Sequence, residues 1–122
     1  MKKFMRAVKV LLSRGETILI YPEQSMWWNY RKPKPMQDGA FSLAVRNNTP
    51  VVPVFITMED SDIPDGEGFF VQEYTIHVLP AIYPNTTLSS AEAKEAMKKE
   101  NYEAWVRVYE DFYKKKLVYG EE

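Results

Sequence analysis

The sequence predicts an α/β fold, a partial mixed sheet flanked by helices, in a single domain over residues 1–122. Three observations predict it. Phe4, Val8, Leu11 and Leu12 recur at helical spacing. Two continuous apolar runs, 18–21 and 51–56, suit strands covered on both faces. A second helical stripe joins Tyr102, Trp105, Val106, Tyr109, Phe112 and Tyr113.

Each element follows from its residues. In the first helix Lys2, Lys3, Arg6 and Lys9 fall mostly away from the apolar stripe, and Gly15 ends it. Two readings fit: an amphipathic helix packed on a sheet, or a basic helix lying on a membrane. The stripe leads straight into an apolar strand, which favours packing. Pro22 ends the 18–21 strand, because proline cannot continue a hydrogen-bond ladder. Residues 22–37 hold Pro22, Pro33 and Pro35 and little periodicity, so they read as a long loop. Loops of such length are functional or disordered. Met26, Trp27, Trp28 and Tyr30 argue against disorder.

Asp38 is an N-cap candidate for a helix carrying Phe41, Leu43, Ala44 and Val45. Asn47 and Asn48 end that helix, and Pro50 keeps it from resuming. Residues 51–58 form the second strand, 59–68 an acidic solvent loop, and 69–79 a third strand. The segments 55–56 and 74–78 are expected as antiparallel neighbours. Ser89 and Glu92 have the form of a capping box, with Asn101 expected to break or re-cap the helix that follows.

Composition narrows the function. The chain has 122 residues, 45% apolar and 27% charged, with a net charge of −1. A general nucleic-acid binder would carry a basic excess, so that class is excluded. No cysteine is present, which removes disulfides and a thiol nucleophile. No apolar run approaches the roughly 20 residues of a spanning helix. Arg6, Lys9 and Arg14 interrupt any signal-peptide core, so a cytoplasmic location is expected. Peripheral association with the inner face of the membrane is a further expectation.

Glu23 is the first candidate for chemistry. A carboxylate after an apolar strand and a proline can cap a turn, pair with an arginine or orient a ligand hydroxyl. Arg31, Lys32 and Lys34 form the second candidate, an anion-binding cluster. Arginine grips phosphate through two parallel hydrogen bonds, and lysine acts as a point charge. The bland alternative is a solvated loop face. His77, the single histidine, sits between Ile76 and Val78 and reads as a strand residue. No Walker loop and no G-x-G-x-x-G pattern occurs. One histidine without cysteine argues against zinc, and the acidic run 59–67 lacks EF-hand order.

The stretch from Thr17 to Thr57 resembles the second half of the glycerolipid acyltransferase family, whose members include the enzymes that acylate 1-acylglycerol-3-phosphate. That family's third motif reads phenylalanine-proline-glutamate-glycine-threonine-arginine-serine at a strand end. Tyr21-Pro22-Glu23 matches its start. Gln24 stands at the glycine, Ser25 replaces threonine conservatively, and Met26 stands at the phosphate-binding arginine. Gly39-Ala40-Phe41, Ala44 and then Pro50 to Val54 follow the family's glycine-alanine helix and its fourth motif.

The resemblance implies a C-terminal portion of an acyltransferase. The whole enzyme would move an acyl group from acyl-CoA or acyl carrier protein to a glycerol-phosphate lipid, with no bound cofactor. Glu23 and Ser25 would contact the acceptor, and Arg31, Lys32 and Lys34 would substitute for the missing arginine. The family's catalytic pair is a histidine followed, after four residues, by an aspartate. His77 has Ile82 after its four residues, so no catalytic residue is assigned and the chain alone is expected to be inactive. The alternatives are a non-catalytic anion- or lipid-binding module, or a protein interaction domain. Strands with uncovered faces predict a homo-oligomer, with the 102–113 aromatic stripe as the shared surface.

Overall fold

The computed structural model describes residues 2–24 and 31–119. Helix α1 spans Lys2–Ser13, α2 spans Gly39–Arg46 and α3 spans Ser90–Tyr113. Strands β1, Val54–Pro64, and β2, Phe70–Val78, form a two-stranded antiparallel sheet. The molecule is α/β, as the sequence predicts. The expected pairing also holds, with Phe55 opposite His77 and Ile56 opposite Ile76.

The helix ends follow local chemistry. Gly15 has φ +79°, and Glu16 N bonds Leu11 O while Gly15 N bonds Leu12 O. That is a Schellman closure, for which glycine is the natural residue. Asn48 closes α2 the same way at φ +47°, with Thr49 N on Ala44 O and Asn48 N on Val45 O. Ser89 Oγ accepts from Glu92 N at 3.2 Å and caps α3.

One core holds Met36, Phe41, Ala44, Phe55, Ile82, Met97, Trp105 and Tyr109. The α3 helix packs on both α2 and β1. The Phe55 and Trp105 rings lie 5.6 Å apart, and Trp105 Nε1 is buried without a hydrogen-bond partner. Met58 turns its backbone groups away from β2. Its N–H donates to Tyr113 Oη at 2.9 Å, and that hydroxyl donates to Met58 O at 3.2 Å. The helix thereby blunts part of the outer edge of β1.

Several expectations need correction. Residues 18–21 form no strand; Leu19 is 75% exposed and Tyr21 72%. A short apolar run becomes a strand only when another strand accepts its backbone bonds, and no such neighbour is present among the described residues. The segment 59–64 is strand rather than loop, carried on by β2 pairing with a register shift between Asp60 and Pro64. Asn101 neither breaks nor re-caps α3. It is buried inside the helix, with Nδ2 3.3 Å from Met36 Sδ. Val8 is the one buried residue of α1, while Phe4, Val10 and Leu11 stay exposed, so the expected packing is slight.

The aromatic stripe is also used differently. Trp105 and Tyr109 are buried within the chain, not held out for a partner. The open apolar surface is instead the far face of the sheet. Val54, Ile56, Tyr74, Ile76 and Val78 are all exposed there, and Val54–Val78 and Ile56–Ile76 are cross-strand pairs.

Candidate functional site

The site is built from a turn and a loop. Gln24 N bonds Tyr21 O at 3.0 Å, closing a turn over Pro22 and Glu23. Proline suits the second position of such a turn, since its φ is already set. Gln24 then sits at φ +58°, in the left-handed region. This explains the glycine of the resembling motif: that position needs a positive φ, which glycine adopts without steric cost. Glutamine holds the same conformation with a Cβ penalty.

The turn rests on the entry to α2. Gln37 N donates to Pro22 O at 2.8 Å. A Cβ at Gly39 would come within 2.9 Å of Gln24 Nε2, so the glycine admits the Gln24 side chain. Glu23 is half-buried beside this contact. Asp38, the expected N-cap, makes no capping bond with its side chain. Its carboxylate faces α3 instead, 2.7 Å from Lys98 Nζ and 3.2 Å from Lys94 Nζ. The hydrogen bond from Lys98, then that from Lys94, holds the Asp38 carboxyl below its usual range. The same bond raises the Lys98 ammonium.

The basic loop is fastened from the other side. The Arg31 guanidinium lies 5.8 Å from the Tyr113 ring centre, within cation–π reach. Lys32 Nζ donates to Val118 O. Pro33 is fully buried, and Pro33 O accepts from Tyr119 Oη at 2.6 Å. Tyr119 Oη also bonds Tyr102 Oη. Lys34 is half-buried. Beside the loop lies an open groove of about 400 Å³, lined by Pro35, Met36, Glu95, Lys98, Lys99 and Tyr102.

Of the sequence-derived candidates, Glu23 lies on the turn and Arg31, Lys32 and Lys34 on the loop. The Pro22–Gln37 bond links the two segments. Ser25 lies outside the described residues, as do Met26, Trp27 and Trp28. His77 is half-buried, with Nε2 2.8 Å from Thr57 Oγ1 and its ring edge against Phe112. It is tied into the sheet as a structural residue. The residues that sequence reasoning passed over are Tyr102, Tyr113, Val118 and Tyr119. Val118 and Tyr119 lie 86 positions from Lys32 and Pro33, and nothing in the spacing of these residues points at that loop.

Residues 1–57 match the acyltransferase family model. No curated protein and no solved structure matches the chain. The matched segment contains α1, the Pro22–Glu23 turn, the basic loop, α2 and the start of β1. The rest of the hairpin, α3 and the residues that fasten the loop lie beyond it. No helix among the described residues is long and apolar enough to cross a membrane.

Proposed function

We propose that this chain supplies the acceptor-binding side of an acyltransferase. The reaction moves an acyl group from a thioester carrier, acyl-CoA or acyl carrier protein, to a hydroxyl of a glycerol-phosphate lipid. Glu23 orients the acceptor's hydroxyls, Ser25 adds a hydroxyl contact, and Arg31, Lys32 and Lys34 bind its phosphate. The observation that carries this is the left-handed Gln24 beside Glu23, inside a segment of acyltransferase sequence. The backbone shape that a glycine would supply is kept although the glycine is not.

The chain has no histidine followed after four residues by an aspartate. The general base that takes the acceptor's proton therefore comes from outside it, and the chain alone does not turn over. The open side of α1 supports association with an anionic lipid surface. Phe4, Ala7 and Leu11 are exposed there, with Lys3, Arg6 and Arg14 alongside and no acidic residue in α1. The open sheet face supports a homo-oligomer formed by two copies meeting through Val54, Ile56, Ile76 and Val78.

The test is acyl transfer to 1-acylglycerol-3-phosphate by the purified chain. No product above the blank is expected. Within a longer parent enzyme, Arg31→Ala raises the acceptor KM with little change in kcat, because phosphate is held equally in ground and transition states. Turnover by the chain alone, or unchanged kinetics for Arg31→Ala, overturns the assignment.

A further inference from the structure

We propose that residues 117–119 form a strap that positions the basic loop, with Tyr119 as the positioning residue. That the positioned loop then binds phosphate rests on the reading above. The strap itself rests on four separate contacts.

After α3 the chain reverses at Lys114, which has φ +55°. Leu117 N donates to Glu110 Oε2 at 2.8 Å, which lays the returning segment along the helix it has just left. Val118 O then receives Lys32 Nζ, and Tyr119 Oη reaches Pro33 O. Tyr119 has a single hydroxyl proton and gives it to Pro33 O. In the contact between the two phenols, Tyr102 must therefore be the donor. The result is a directed chain from Tyr102 on α3, through Tyr119, to the carbonyl of Pro33.

The position of that carbonyl matters. Pro33 has no N–H, so its carbonyl is the one backbone group by which another segment can hold it. Lys32 and Lys34 both precede prolines, which biases their backbones away from the helical region. Fixing Pro33 O between them limits the backbone from which both lysine side chains leave. Burial, and then the bond with Tyr102, push the Tyr119 phenol up from its ordinary value. The proton that bonds Pro33 O is thus kept through neutral and mildly alkaline pH.

The experiment compares amide hydrogen exchange in the full chain, in Tyr119→Phe, and in a variant ending at Leu117. In Tyr119→Phe the Gln37 amide, which bonds Pro22 O, should exchange about fivefold faster, the factor carried by one net hydrogen bond. Loss of both Val118 and Tyr119 should give a larger increase. The amides of α2 serve as the control and should keep their rates. Trypsin gives a second readout. It cuts poorly before proline, so Lys32–Pro33 and Lys34–Pro35 resist, and the Arg31–Lys32 bond reports loop opening. Faster cutting there in the truncated variant supports the strap. Unchanged exchange and unchanged cutting in the truncated variant overturn it. Titration of the same proteins with glycerol 3-phosphate separates the two ideas. Faster loop exchange together with no saturable binding in the full chain leaves the strap standing and removes the acceptor-binding reading.

Discussion

Residues 2–24 and residues 33–113 are built on different terms. In the first region Val8 is the one buried residue, and Leu19 and Tyr21 of its apolar run lie open. In the second, α2, β1 and α3 enclose a continuous core around Phe41, Trp105 and Tyr109. Yet the first region carries the motif turn with Glu23, and most of the second lies beyond the acyltransferase match. Among the described residues, the turn that carries Glu23 is therefore held by few contacts of its own. It is located by Gln37 and Gly39 at the entry to the packed body, while the loop after it is fastened by residues at the far end of the chain.

The largest expected effect comes from substituting across this divide. Phe41→Ala should cost about 3–5 kcal/mol, the usual price of an aromatic removed from a core. Leu19→Ala, in the open region, should change stability by less than about 0.5 kcal/mol. Chemical denaturation of the two variants checks both. Equal losses would show that 18–21 is packed, and would erase the contrast.

A second effect tests the open sheet face. The full chain should self-associate at micromolar concentration, and Ile76→Lys should make it monomeric. The reason is that a charge at a desolvated contact loses hydration without a partner. Sedimentation equilibrium decides it. A full chain that is monomeric throughout would show that the exposed pairs Val54–Val78 and Ile56–Ile76 need no cover.

How much of this was legible in the sequence depended on the range of the interaction. The Gly15 and Asn48 closures, the Ser89 cap and the pairing of 55–56 with 74–78 are readable because each is fixed by residues close in sequence or by period-two alternation. The 18–21 strand was misread because apolar character sets burial preference, whereas strand formation needs a partner that the residues do not name. Asp38 looked like a cap because Lys94 and Lys98, which claim its carboxylate, come from another helix. Glu23 and the basic cluster could be singled out by residue type and motif. The fastening of that cluster by Tyr119 could not, because a single long-range hydroxyl bond leaves no periodic trace.

Two smaller effects sharpen the account of the turn. Gln24→Gly should stabilise the fold by about 0.5–1 kcal/mol, since relief of the left-handed strain outweighs glycine's extra chain entropy. A thermal scan that shows destabilisation would mean that the Gln24 side chain over Gly39 contributes more than its backbone costs. The smallest effect is that of Asp38. Its carboxyl is lowered on folding, so its contribution to stability is present above the ordinary carboxylate range and is lost as pH falls through the folded value. Asp38→Asn should flatten the acid limb of the stability profile and leave the neutral region nearly unchanged, as the pair is solvent-exposed. An identical acid limb in the variant would show that Lys94 and Lys98 do not hold the carboxylate.

The most direct measurement is a glycerol 3-phosphate titration of the full chain followed by amide chemical shifts. The account predicts saturable shifts confined to residues 23–25 and 31–37. Glu23→Ala should abolish them, and Arg31→Ala should weaken binding about tenfold, as expected for a lost charge-assisted contact. No saturable shift, or full binding retained by Glu23→Ala, would contradict it.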